Sequence, residues 1–401
     1  MTEEVSFNPF EPGFTDDPYP AYRALREADP VQEHPLGFWF MTAYDDIATL
    51  LRAGHSVNAG LMDDGTPPRE QFDILEREGS SVLTLSMLDR DPPDHTRLRS
   101  LVSKVFTPRK VGALEPRITA LVDEALDRID AGGGDLIEEL AFPLPFAVIS
   151  EMLGMPPTDH ERIRELSAMV VRSLEPIFDE DVLKQIAHAS VDLTGIVRDV
   201  IAWKRANPGD DLLTALIAAE EDGDSLTDDE LVAQVVLLYV AGHETTVNLI
   251  ANGAVALLRH PDQLALLRER PDLAGNAVEE FLRYDSPVQQ TRRVTLHPHA
   301  AGGKEIPPGA FVIVCVASAN RDEAHFGPTA GRLDIERADA RQHLAFSVGT
   351  HHCLGAALAR IQGRVAIERL VTRFPGLALA GEPTWNGRIN LRGPAALPIS
   401  V

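Results

Sequence analysis

Cys353 is the residue of this sequence best placed to do chemistry, because it lies between a glycine-bearing loop and a predicted helix. The segment that begins at Phe346 reads FSVGTHHCLGAALAR, and apolar residues spaced by three and four predict a helix after the cysteine. A sulfur at a helix N-terminus is stabilised as a thiolate by the helix dipole and by free N–H groups. Such a thiolate can be a nucleophile or a metal ligand. Cys315, the other cysteine, lies in an apolar predicted strand and is interpreted as an inert buried residue.

A polar cluster interrupts the longest predicted helix. Thr227 and Glu230 have capping-box spacing, and the helix is predicted from about 227 to 259, a length of roughly 50 Å. Its apolar middle is followed by AGHETT at 241–246. Because buried carboxylates and hydroxyls are costly unless partnered, Glu244 and Thr245 indicate a functional site or a water-filled kink. The alternative is a threonine pair solvated on an outer face.

Two further pairs of charged residues have helical spacing. His95 and Arg99 follow two prolines and are four residues apart, so both would lie on one helix face and suit an anion. Glu280 and Arg283 are three residues apart and of opposite sign. Taken singly, each pair is typical of a solvated helix surface.

Helices must position most of these residues. Apolar residues recur at helical spacing through most of residues 15–286, most clearly in 116–131, 182–205 and 228–259. Residues 54–91 are irregular and rich in glycine and proline, which is typical of a binding loop or lid, or alternatively of a surface insertion.

Strands are predicted in two shorter regions, about 287–318 and 376–401, the second with a hairpin tip at Trp385–Arg388. No clean linker separates helical from strand segments. We therefore expect a mainly α fold with a small β region, forming a single domain over residues 1–401.

Composition restricts the classes of partner and compartment. The chain has 401 residues, with 37 basic and 61 acidic side chains and a net charge of −24. This charge opposes binding to nucleic acids and to anionic membrane surfaces. Two distant cysteines, an acidic N-terminus and the lack of an apolar run of about 20 residues predict a soluble protein of the cytoplasm.

Together, these segments resemble the cytochrome P450 superfamily, in particular its soluble bacterial members. The matches are the cysteine loop, the AGHETT segment at 241–246, Glu280-x-x-Arg283 and His95-x-x-x-Arg99, and the resemblance extends over nearly the whole chain. It implies the cytochrome P450 fold, a single large helical domain around a buried haem. It also implies a haem-thiolate monooxygenase that hydroxylates or epoxidises a hydrophobic small molecule with one atom of dioxygen.

The resemblance assigns roles to the residues described above. Cys353 would be the axial thiolate ligand, and thus the metal ligand, of the iron of haem b. Glu244 and Thr245 match the catalytic acid–alcohol pair that relays protons during dioxygen activation. Positions that match the family's propionate-binding residues are His95, Arg99, Arg293 and His351. Other positions expected to contact the cofactor are Ala241, Phe346 and Gly355.

The sequence departs from the family pattern at two positions. Ser347 stands where the cysteine loop usually has a second glycine, and it is expected to alter the backbone angles or add a hydrogen bond. Leu333 replaces a usual phenylalanine before Asp334. By the same resemblance, Arg337 would join Glu280 and Arg283 in a buried structural network.

No flavin or nicotinamide motif accompanies the cysteine segment, so electrons are expected from an external ferredoxin and an NAD(P)H-dependent reductase. Basic residues at 97–110, together with Arg360 and Arg364, predict a docking surface for such an acidic partner. The substrate is expected to be a secondary-metabolite intermediate, of polyketide, macrolide, peptide or terpenoid type, and the protein a monomer. Residues expected to line the substrate pocket include Leu237, Val240, Ala241, Val288 and Gln289.

Other interpretations of the same residues remain. The same fold could act as a peroxygenase driven by hydrogen peroxide or as an oxidative ring-coupling enzyme, although the Glu244–Thr245 pair favours dioxygen. A cysteine hydrolase using Cys353 with His351 or His352 is another possibility, but residues so close on one loop rarely align as nucleophile and base. The last alternative is a zinc or haem protein without turnover.

Overall fold

The computed structural model describes residues 5–62, 67–129, 132–156, 160–221 and 223–401, and helices dominate them. The α-helices are α1 Tyr19–Ala28, α2 Tyr44–Arg52, α3 Pro67–Arg77, α4 Asp94–Val105, α5 Pro108–Gly112, α6 Glu115–Arg128, α7 Pro143–Leu153, α8 His160–Val170, α9 Glu180–Ala206, α10 Leu212–Ile217, α11 Asp228–Arg259, α12 Pro261–Glu269, α13 Ala274–Tyr284, α14 Val316–Ala319, α15 Glu323–Phe326 and α16 Ala356–Arg373. A π-helix, Ile137–Ala141, precedes α7.

The strands are short. They are β1 Val31–Glu33, β2 Trp39–Met41, β3 Gly134–Asp135, β4 Glu220–Glu221, β5 Asp224–Ser225, β6 Thr291–Val294, β7 His299–Ala301, β8 Lys304–Ile306, β9 Phe311–Val314, β10 Ala378–Leu379, β11 Thr384–Trp385, β12 Pro394–Ala396 and β13 Pro398–Ser400. The mainly α fold with a small β region is confirmed.

Two hydrogen bonds confirm the predicted start of the long helix, α11. The hydroxyl of Thr227 accepts the N–H of Glu230 at 3.2 Å, and the Glu230 carboxylate accepts the N–H of Thr227 at 2.9 Å. These two hydrogen bonds satisfy donors that a helix start otherwise leaves open, so α11 begins at Asp228. The predicted helices at 116–131 and 182–205 correspond to α6 and α9, although residues 130–131 lie outside the described residues.

One compact unit of the chain contains Met1–His55, Glu115–Leu144 and Thr245–Val401. Its four-stranded sheet has the order β1-β2-β9-β6, in which β2 and β9 are parallel and the other pairs antiparallel. Apolar residues of β1, β2, β9 and α2 form a core cluster on this sheet. In the same unit, α16 packs against α6, α12 and α13.

The other compact unit contains Ser56–Leu114 and Pro145–Glu244. It is built around α9, which packs against α3, α8 and α10. The irregular segment predicted at 54–91 contains α3 and two 3₁₀ turns, Ala59–Leu61 and Ser80–Leu85, while residues 63–66 lie outside the described residues.

The strand predictions were incomplete. The regions 287–318 and 376–401 do contain β6–β9 and β10–β13, but β1–β5 lie in a region predicted to be mostly helical. The predicted hairpin tip at Trp385–Arg388 is the beginning of a longer connection, residues 386–393, between the antiparallel strands β11 and β12. Within the described part of the chain, none of the helices is both long and apolar enough to cross a membrane.

Arg283 holds the first unit together from within. Its side chain is fully buried and ion-paired with Glu280 at 2.7 and 2.8 Å, and Arg337 contacts the same carboxylate at 3.2 Å. Its remaining hydrogen bonds go to the backbone carbonyls of Asn320, Ala330 and Arg332. All five N–H groups of this guanidinium therefore donate, as the predicted structural network requires.

We expect Arg283→Lys to lower the free energy of unfolding by about 3–5 kcal/mol, because an ammonium group has three donors where this site uses five. Chemical denaturation followed by circular dichroism measures the loss. The control is Arg198→Lys, at an exposed ion pair with Asp229, which should cost less than about 1 kcal/mol. Equal losses in the two variants would contradict the structural role of Arg283.

Candidate functional site

The cysteine loop connects a 3₁₀ turn, Gly349–His351, to α16. The N–H of Cys353 donates to the carbonyl of Phe346 at 2.9 Å, which closes the loop on itself. Gly349 has a φ of 77°, and a Cβ placed on it would lie 2.8 Å from the carbonyl oxygen of Leu51. The loop therefore requires glycine at this position, both for its backbone angle and for the close approach to α2.

The two cysteines differ as the sequence predicted. Cys353 is exposed, and Cys315 is completely buried. Burial raises the pKa of the Cys315 thiol to about 12, so this residue stays a protonated core side chain. Cys353 precedes α16 by three residues, with Gly355 at the N-cap of that helix. An accessible sulfur beside a helix N-terminus is suited to form a thiolate.

Ser347 adopts a left-handed backbone conformation, which is usual for glycine. Its φ is 57°, and among the described residues it is the single non-glycine residue with a positive φ. A positive φ is the conformation that favours glycine, and the expected change of the backbone angles stays a prediction. The hydroxyl of Ser347 is buried without a hydrogen-bond partner in the described structure. Leu333, the other departure, is a buried core residue.

The other predicted site residues of the first unit lie close to the loop or on the sheet. Phe346 is buried, and His351 is half-buried in the 3₁₀ turn. An ideal Cβ on Gly355 would lie 3.9 Å from the Sγ atom of Cys353, so this glycine keeps the side of the sulfur open. Arg293 lies on β6 with only 4% of its surface exposed and donates to the carbonyl of Arg292 at 2.6 Å.

In the second unit, His95 and Arg99 lie on α4, which begins after Pro93 as predicted. His95 is 2% exposed and Arg99 is half-buried. Burial lowers the pKa of His95, and the neighbouring charge of Arg99 lowers it further. His95 therefore favours a neutral imidazole, which still provides an N–H donor, in contrast to the cation expected from the sequence.

The middle of α11 has one open face. Ala241 is exposed and its neighbours at helical spacing are partly exposed, namely Leu237, Val240, Glu244 and Thr245. The opposite face is buried: Tyr239 pairs with the hydroxyl of Ser150 at 3.2 Å, and the ring of His243 packs against Phe146. Thr246 is 3% exposed. Glu244 and Thr245 thus lie on the open face of α11, next to its apolar segment 235–241. Thr246 is buried, so the alternative of two solvated threonines is wrong for this residue.

Two side chains expected to line the pocket or the surface have partners in the structure. Gln289 is 1% exposed and donates to the carbonyl of Ser286 at 2.7 Å, so its amide is held in the interior. Arg364 donates to the carboxylate of Glu115 at 2.6 Å, so its charge is compensated. On the basic segment 97–110, the exposed cations include Arg109 and Lys110 on α5.

The chemistry of these residues fits a haem. Cys353 offers an accessible sulfur, a ligand type that haem iron accepts, and Gly355 leaves room beside it. Ala241 provides a small side chain on the open face of α11. Arg293 provides a buried cation of the kind that a propionate requires. In the described residues, no group of three or more His, Cys, Asp or Glu side chains is placed to hold a metal ion.

Comparison with known proteins supports the same conclusion. The family model described as cytochrome P450 matches residues 68–274 and 272–384. Cytochrome P450 107B1 of Saccharopolyspora erythraea is 42% identical over 401 residues, which cover 97% of this chain and 96% of the relative. The 6-deoxyerythronolide B hydroxylase of the same organism is 37% identical, with 97% of each chain covered.

A solved structure agrees with these relatives. The cytochrome P450 PksS of the bacillaene polyketide synthase of Bacillus subtilis has a TM-score of 0.88 and 33% identity, covering 98% of this chain and 99% of that one. These matches exclude the cysteine hydrolase and do not favour a peroxygenase or a ring-coupling enzyme. The chain therefore belongs to the cytochrome P450 family, as a haem-thiolate monooxygenase that uses haem b and electrons from a redox partner to insert one atom of dioxygen into a hydrophobic small molecule.

Proposed function

We propose that Cys353 is the axial ligand of the haem and that the enzyme oxidises a hydrophobic secondary-metabolite intermediate. The observation that carries the ligand assignment is the exposed sulfur, fixed by the hydrogen bond from the Cys353 N–H to the Phe346 carbonyl directly before α16. Cys315 is buried in the core and protonated, so it offers no competing ligand.

Each remaining site residue receives a role in this proposal. Haem supplies the activation of dioxygen when it is bound. The side chains that would donate to its propionates are His95, Arg99, Arg293 and His351. Those that would border its ring are Ala241, Phe346 and Gly355. Glu244 and Thr245, on the open face of α11, would hold water and deliver protons from the carboxylate and hydroxyl oxygens.

The class of substrate is proposed from the same helix face. Leu237, Val240 and Ala241 make this face apolar beside the two polar side chains, which suits a mainly hydrophobic molecule. The names of relatives support a product of secondary metabolism, since one is a 6-deoxyerythronolide B hydroxylase and another belongs to a polyketide synthase. A set of polyketide, macrolide, peptide and terpenoid compounds, screened for the spectral change on displacement of haem-bound water, tests this class.

The electron donor is proposed to be a ferredoxin, reduced by an NAD(P)H-dependent reductase. The protein carries a net charge of −24, yet the segment 97–110 contains five basic residues and no acidic one. Arg97 is ion-paired with Glu230, whereas Lys104 on α4 and Arg109 and Lys110 on α5 are exposed. An acidic iron–sulfur protein would be steered to such a patch.

We further propose that the chain is a single domain over 1–401 and a cytoplasmic monomer.

Cys353→Ser should abolish the strongly red-shifted Soret band of the reduced carbon monoxide complex, because only a thiolate ligand gives that band. Cys315→Ala, which removes the other sulfur without adding a buried hydroxyl, should keep it. The absorption spectrum of each purified variant is the measurement. A red-shifted band that survives in Cys353→Ser would refute the ligand assignment.

Thr245→Ala should retain substrate binding but send electrons to hydrogen peroxide or water, because proton delivery loses its hydroxyl. We expect product formed per electron consumed to fall by about tenfold or more. Oxygen uptake, peroxide and product are measured together. The matched control is Thr246→Val on the buried face, which should leave this ratio unchanged. An equal amount of product per electron in Thr245→Ala and in wild type would count against a role of Thr245 in proton delivery.

Arg109→Glu combined with Lys110→Glu should slow reduction by a ferredoxin by about tenfold at low salt and flatten the dependence of the rate on ionic strength. Substrate affinity should not change. Lys184→Glu, an exposed charge reversal on α9, serves as the control. Stopped-flow rates that respond equally to the α5 and α9 variants would contradict a docking site on α5.

A further inference from the structure

Glu279 is a buried acid that the network of Glu280 and Arg283 does not use. It lies on α13 with 2% of its surface exposed. Its two carboxylate oxygens accept hydrogen bonds from the Nε and Nη2 atoms of Arg360 at 2.8 and 3.1 Å, a bidentate arrangement. His343 contacts the same carboxylate through Nε2 at 3.1 Å. Burying a carboxylate is costly unless hydrogen bonds and an opposite charge compensate it, and Glu279 has both.

The hydrogen bonds of the two ring nitrogens of His343 indicate which nitrogen carries the proton. Nδ1 accepts the N–H of Ala345 at 3.2 Å, so the ring proton lies on Nε2, which donates to Glu279. Burial lowers the pKa of His343 more than the contact with Glu279 raises it, so the ring is neutral. Although burial opposes ionisation of Glu279, hydrogen bonds from His343 and Arg360 hold its pKa at about 2. The cluster therefore consists of one anion, one cation and a neutral donor. Arg341, 3.7 Å from the same carboxylate, is largely exposed.

Both partners of Glu279 pack on Phe346. The guanidinium carbon of Arg360 lies 4.6 Å from the centre of the Phe346 ring, and the His343 ring lies 5.4 Å from it. Phe346 in turn accepts the backbone hydrogen bond of Cys353. Direct contacts therefore connect Glu279, through Arg360 and His343, to Phe346, whose carbonyl is bonded to the N–H of Cys353.

We propose that Glu279 is a positioning residue for the thiolate ligand. Glu279 acts on Phe346 through Arg360 and His343, and it compensates the charge of Arg360 beside the ligand loop. The proposal rests on the proposed ligation of haem iron by Cys353. Near a ligand in a medium of low dielectric constant, an uncompensated charge changes the relative stability of the ferric and ferrous states. Because Glu279 and Arg360 compensate each other, neither charge shifts the reduction potential of the bound haem while the pair is intact.

Substitution of the two partners separates this electrostatic role from a purely structural one. Glu279→Gln leaves the cation of Arg360 without its anion and should shift the reduction potential in the positive direction. Arg360→Gln leaves the anion of Glu279 and should shift it in the negative direction, measured in mildly alkaline buffer where His343 stays neutral. The double variant has no net charge at the pair and should return to a potential near that of wild type. Arg360→Lys keeps the charge and should lie closer to wild type than Arg360→Gln.

The measurement is spectroelectrochemical titration of the purified holoenzymes. Arg369→Gln is the control, since Arg369 lies on the same helix and is paired with Asp123 away from Phe346, and it should leave the potential unchanged. A wild-type protein without the red-shifted carbon monoxide band would overturn the assigned ligand and this inference with it. With that band present, shifts of the same sign in both single variants, or shifts no larger than in Arg369→Gln, would overturn the role of Glu279 alone. If Glu279→Gln fails to fold, the half-exposed Arg360 variants and the double variant decide the question.

Discussion

The buried guanidinium of Arg283 fixes the cysteine loop without touching it. Arg283 donates to the carbonyl of Asn320 at 2.8 Å, and the side-chain oxygen of Asn320 accepts the N–H of Leu344 at 2.6 Å. The carbonyl of Leu344 accepts the N–H of Ser347 at 2.8 Å, which forms the turn that carries Phe346. Because the Phe346 carbonyl receives the N–H of the cysteine, four successive hydrogen bonds connect α13 to the ligand loop. A cofactor ligand on a loop can be rigid when the loop is tied to a buried ion pair.

The order of charged residues in the sequence does not show which charges are compensated by ion pairs in the folded protein. Three of the four arginines of α16 form ion pairs with acids of α6, since Arg364, Arg369 and Arg373 contact Glu115, Asp123 and Asp127, while Arg360 pairs with Glu279 of α13. These acids are spaced along one face of α6, so the two helices are joined by a ladder of compensated charges. The cations that the sequence places beside the cysteine are therefore largely structural. A donor surface must rely on other basic residues, which is why α5 and not α16 is its expected location.

Features set by neighbouring residues could be predicted from the sequence, whereas features set by distant pairing could not. The capping box of Thr227 and Glu230 and the contrast between Cys353 and Cys315 depend on local context, and both are confirmed. Strands β1 and β2 were missed because each has three residues, too few for a periodic pattern, and β2 is completed by parallel pairing with β9. Glu279 was missed for a similar reason. Its sequence neighbourhood is that of any acid beside Glu280, and its partners lie 64 and 81 residues away.

The hydrogen bonds of the cysteine loop, and not the preference of serine, determine the backbone conformation of Ser347. A left-handed φ costs a residue with a Cβ roughly 1–2 kcal/mol. The loop nevertheless keeps this conformation, because hydrogen bonds on both sides fix it: the N–H of Ser347 bonds to Leu344, and the carbonyl of Phe346 bonds to Cys353. Local strain of this kind persists only where the surrounding structure determines the backbone more strongly than the residue does. The same bonds that hold the sulfur in place thus hold Ser347 in a conformation that it would not adopt alone.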